Sequence, residues 1–93
     1  MDELFNDPEF IALIKQYISY LKETIPTIKD QLADRDFFPV QKFGHNIKGS
    51  GGGYGYMELS TMGKNLEEAA KKEDAAACDR YLAEIDGFIN NLN

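Results

Sequence analysis

The 93-residue sequence has no tryptophan, one cysteine, one histidine and three prolines. With Cys78 as the only thiol, neither an intrachain disulfide nor a cysteine-based metal cluster can form, and its spacing suits a small core residue. No apolar run approaches the roughly 18 residues that a membrane span needs. The opening residues, MDELFNDPEF, lack the basic leader and apolar stretch of a secretory signal. A cytoplasmic chain with no membrane partner is the expectation. Positive charge is also scarce: ten Lys and Arg against sixteen Asp and Glu give a net charge of −6. That balance disfavours nucleic acid or an anionic membrane as the main partner. A chain of this length forms one domain, residues 1–93, burying about 60 to 65 per cent of its unfolded surface. It has no room for a nucleotide site and a second substrate domain.

What is present is helical periodicity. Asp7-Pro8 reads as an N-cap followed by proline at the first helical position, and Phe10, Ile11, Ile14, Ile18 and Leu21 follow at three- and four-residue steps. This segment is expected over residues 8 to 24. Pro26 disfavours helical geometry at Ile25, so a kink or short break is expected before a continuation holding Ile28 and Leu32. Asp36 and Pro39 supply the next start signals, with Val40, Phe43 and Ile47 as the buried stripe. Leu59, Met62, Leu66 and Ala70 mark a further helix, and Cys78, Tyr81, Leu82, Ile85, Phe88, Ile89 and Leu92 the last. No period-2 segment competes. The expected fold is all-α: an antiparallel four-helix bundle from residues 8–34 (kinked), 38–52, 56–73 and 75–92. Gly63 and Gly87 fall inside helices, where each costs about 1 kcal/mol relative to Ala, and close helix packing is the expected offset.

The stretch GHNIKGSGGGYGY, residues 44 to 56, holds the only histidine and six of the eight glycines. A phosphate-cradling loop needs Gly-Lys-Ser or Gly-Lys-Thr after a strand, whereas this chain has Lys48-Gly49-Ser50 and no strand before it. On a helix, His45 lies about 200° from both Phe43 and Ile47, so the imidazole faces water when those two face the core. Lys42, Lys48 and Gly49 share its face. Gly49, one turn beyond His45, has no side chain to obstruct an approaching surface, while Gly53 to Gly55 suit the turn into the next helix. The region is locally basic. Between residues 42 and 72 five lysines face three glutamates in an otherwise acidic chain.

At these residues the sequence resembles the histidine-containing phosphotransfer (HPt) domains of multistep phosphorelays. The family motif, His-x-x-Lys-Gly followed by a small residue and by a glycine ten places after the histidine, is met by His45, Lys48, Gly49, Ser50 and Gly55. The resemblance extends over nearly the whole chain: the first helix before Pro26, the Asp34-Arg35-Asp36 turn, the motif helix, the Leu59 to Leu66 stripe and the Glu73-Asp74 boundary. Two departures are Gly44 and the Gly51-Gly52-Gly53 run, where bulkier or better helix-forming residues are usual in similar proteins.

The resemblance implies a phosphoryl carrier, not an enzyme: His45 is phosphorylated on Nε2 by, and returns the group to, aspartates of response-regulator receiver domains, with a histidine kinase as a further candidate partner. It implies Lys48 as the charge-stabilising cation, no cofactor or metal of the chain's own because the receiver brings magnesium, and a monomer. Glu67, on the helix antiparallel to the motif helix, lies in a basic strip with Lys64 and Lys71. Similar domains carry Gln or Glu at the matching place, and in chemotaxis-kinase members it accepts a hydrogen bond from the Nδ1 proton. Glu67 is thus expected to orient the imidazole, against the plainer reading of a solvated Glu67 paired with Lys71 at i,i+4. Lys42, Gly49, Ser50, Lys64 and Lys71 are the expected binding residues. The competing function is a helical adaptor that docks a receiver or kinase through the same face without phosphorylation. Retention of both His45 and Lys48 argues against it.

Overall fold

In a computed structural model that describes residues 6–92, the chain folds into four α-helices: α1 (Pro8–Ala33), α2 (Phe37–Gly51), α3 (Met57–Lys71) and α4 (Ala75–Asn90). No strand occurs among the described residues. The reading of MDELFNDPEF rests half on residues 1–5, which lie outside the described residues. No helix among the described residues is long and apolar enough to cross a membrane.

Helix α1 starts as its sequence dictates, with the Asp7 carboxylate accepting from the Glu9 backbone N–H at 2.9 Å and Pro8 in the first turn. Of the kink or short break expected at Pro26, the break does not occur: the helix runs through it. Proline removes one backbone hydrogen bond, but Ile25 and Ile28 on either side are both buried in the core, and their packing offsets that loss. Burial along α1 begins at Ile18, so the expected stripe holds only in part: Ile11 is exposed and Ile14 half-buried. The cause is length. Twenty-six residues span about 39 Å, whereas the 15 or 16 residues of the other helices span about 23 Å, so α1 outruns them.

The core is continuous across all four helices, with Leu21, Ile25, Val40, Ile47, Leu59, Leu66, Leu82, Ile85 and Ile89 almost fully buried. Cys78 is buried among them. Arg35 and Glu73, both at positive φ, end α1 and α3. Asp74 caps α4 by accepting from the Ala77 N–H at 3.1 Å, while the Asp36 carboxylate makes no such bond to α2.

Helices α2 and α3 pack antiparallel and backbone to backbone. A Cβ on Gly44 would lie 2.6 Å from the Glu67 nitrogen, one on Gly63 2.6 Å from the Lys48 nitrogen, and one on Gly51 2.9 Å from the Ser60 nitrogen. Glycine at these three positions is therefore a steric requirement. Gly44, a weak helix former in mid-helix, is explained by this seam, and Gly63 has the close-packing role its position predicts. Gly87 does not: it is exposed, and a Cβ there would meet nothing within 4 Å. After Gly51 the chain tightens into a 3₁₀ turn over Gly52–Tyr54, and Gly55, at φ 92°, reverses it toward α3.

Candidate functional site

The glycine seam sets where the polar residues meet. Because Gly44 rests on the backbone of Glu67, the next residue, His45, stands beside the Glu67 side chain. The His45 Nδ1–H donates to Glu67 Oε2 at 2.8 Å. Lys48, one turn along α2, donates from Nζ to Glu67 Oε1 at 2.9 Å, and Lys71, one turn along α3, holds its ammonium 3.8 Å from Oε2. The side chain of His45 is 62% exposed while that of Glu67 is only 7% exposed, so a buried carboxylate anchors an open imidazole.

A buried carboxylate ordinarily resists ionisation. Here the Lys48 ammonium hydrogen-bonded to it acts first, with His45 and Lys71 adding to it, and together they outweigh burial and hold Glu67 below its ordinary value of 4.5. Glu67 is therefore ionised near neutral pH and accepts at both oxygens. The solvated reading of Glu67 is set aside: it is buried, and Lys71 is the most distant of its three partners. With the ring proton on Nδ1, the lone pair of the imidazole sits on Nε2.

The remaining expected residues fall into two groups. Lys42 and His45 line, with Phe38, Gln41 and Glu67, an open depression of about 370 Å³. Gly49 is exposed, with open space where a side chain would project. Lys64 is exposed on α3 and is not drawn into the ion pairs around Glu67. Ser50 also makes contacts within the fold. Its hydroxyl donates to the Asn46 carbonyl at 2.7 Å and accepts from the Tyr17 hydroxyl at 2.7 Å, tying α2 to α1. Burial raises the Tyr17 phenol, keeping it a donor. Tyr54 stacks on Tyr17 with ring centroids 4.5 Å apart, so the glycine-rich turn is pinned to α1 by the same tyrosine.

Sequence reading missed Phe38, which is 70% exposed at the rim of the His45 depression. Its position seven residues before His45, two turns away on the same helical face, was the available signal. No cluster of His, Cys, Asp and Glu suited to a metal ion occurs among the described residues. In comparisons with known proteins, the chain matches no family model, no curated protein and no solved structure.

Proposed function

We propose that this domain is a phosphoryl carrier of a phosphorelay, taking a phosphoryl group onto His45 Nε2 from the aspartyl phosphate of a receiver domain and passing it to the aspartate of another. The observation that carries the proposal is an exposed imidazole whose Nδ1–H is held by a buried, ionised carboxylate. The hydrogen bond selects the tautomer in which Nε2 is unprotonated, and neutral imidazole is a competent nucleophile near pH 7.

In the forward step, the Nε2 lone pair attacks phosphorus in line. The Nε2–P bond forms as the acyl-phosphate O–P bond breaks, and that electron pair leaves on the receiver's carboxylate. No proton has to be removed, because Nε2 carries none. The ring becomes cationic with its proton still on Nδ1, where the Glu67 carboxylate offsets the new charge. Lys48, on the same face as His45, supplies a compact cation for the spread negative charge of the transferring group. Phe38 offers an apolar contact at the rim, Gly49 leaves room for close approach, and Lys42 adds positive charge suited to an acidic receiver pocket.

The test is incubation with receivers charged by acetyl phosphate, followed by intact-mass measurement. The wild-type protein should gain one acid-labile phosphoryl group. His45→Gln should gain none while keeping its helical circular dichroism, and persistent labelling of that variant overturns the proposal. Gly49→Gln should stay folded and lose receiver binding. Receiver binding by the wild-type protein without any gain of mass establishes the adaptor reading instead.

A further inference from the structure

The carrier reading raises a difficulty at Lys48. Its ammonium is already bonded to a buried oxygen of Glu67, at 2.9 Å. Where it turns from Glu67 toward a phosphoryl group on Nε2, the buried carboxylate loses the partner that does most to hold it ionised, a loss that is strongly disfavoured.

Lys71 is suited to resolve this. It sits one turn from Glu67 on the same helix, and its ammonium is 3.8 Å from Oε2, beyond hydrogen-bond length yet within ion-pair reach. Its side chain is 56% exposed, so it has the freedom to move. We infer that Lys71 is a reserve counter-ion: when Lys48 swings from Glu67 to the phosphoryl group, Lys71 closes onto the carboxylate and keeps it ionised beneath His45. The inference rests on the carrier reading. Lys71 is then a positioning residue, acting through Glu67 and Lys48 without touching the phosphoryl group. No bond to phosphorus changes in the handover; one ammonium replaces another on a carboxylate.

The experiment follows label transfer from an acetyl phosphate-charged receiver to wild-type protein, Lys71→Met and Lys71→Arg over a range of receiver concentrations, beside the melting temperature of each. Lys71→Met should lower the maximal transfer rate about 3- to 10-fold while the half-saturating receiver concentration and the melting temperature hold, and Lys71→Arg should recover most of the loss. In the wild-type protein, the ¹⁵N signal of the Lys71 ammonium, broadened by exchange with water before phosphorylation, should sharpen after it. A Lys71→Met rate equal to wild type, a change only in half-saturation or melting temperature, or a Lys71 signal identical in both states overturns the handover alone. Absence of label on the wild-type protein overturns the carrier reading and the handover together.

Discussion

Glu67 is the residue on which the site turns, and its dependence on pH follows from its partners. Its carboxyl titrates below the ordinary 4.5 in the folded protein, held there by Lys48 first. A group depressed by folding contributes stability above its unfolded value and loses that contribution as pH falls through the folded one. Glu67→Gln is therefore expected to cost about 1–3 kcal/mol at pH 7, and the gap to wild type should close as the solution is acidified below the carboxylate range; urea unfolding at a series of pH values measures it. At this scale the sequence was partly legible. The exposure of His45 follows from its angle to Phe43 and Ile47. The burial of Glu67 does not, because a charged residue beside Leu66 at the edge of an apolar stripe is compatible with either face until the neighbouring helix is in place.

At the scale of elements, four helices and their order were readable from apolar spacing and capping residues, with ends displaced by only a few residues. What periodicity could not supply was the distance between helices. Gly44, Gly51 and Gly63 look like three weak helix formers, yet each marks a place where two backbones touch. Gly87 looks the same and touches nothing. The two kinds separate on substitution. Gly44→Ala should destabilise the protein by about 1–3 kcal/mol, since its methyl meets backbone that cannot turn aside, and should disturb the His45 to Glu67 hydrogen bond. Gly87→Ala should instead stabilise by about 0.5–1 kcal/mol through helix propensity and a less free unfolded chain. Thermal melts of the two variants, with the imidazole ¹⁵N spectrum of the first, check both. At Pro26 a local rule against helix was overridden by the long-range packing of Ile25 and Ile28, so the helix does not break there.

The whole molecule measures 42 × 20 × 19 Å, and its long dimension matches the length of α1 alone. The first half of that helix leans on the rest through Tyr17, Ile14 and the Tyr54 ring; the second half lies within the core. A single helix, its ladder short only of the bond that Pro26 cannot donate, therefore crosses two regimes of cooperativity. Amide protons near Ile28 and Leu32 should exchange with solvent deuterium only when the entire bundle unfolds, and their exchange should quicken steeply with added denaturant. Those of residues 11–15 should exchange by local fraying that exposes little new surface, at rates nearly indifferent to denaturant. Lys29, in the deep half, is joined to Asp86 of α4 at 3.0 Å. The helix is thus a cantilever: clamped at one end by the core, held more lightly at the other, where Phe10 stacks on Tyr54 with ring centroids 6.1 Å apart, and with Tyr17 and its bond to Ser50 near the point where the clamp begins.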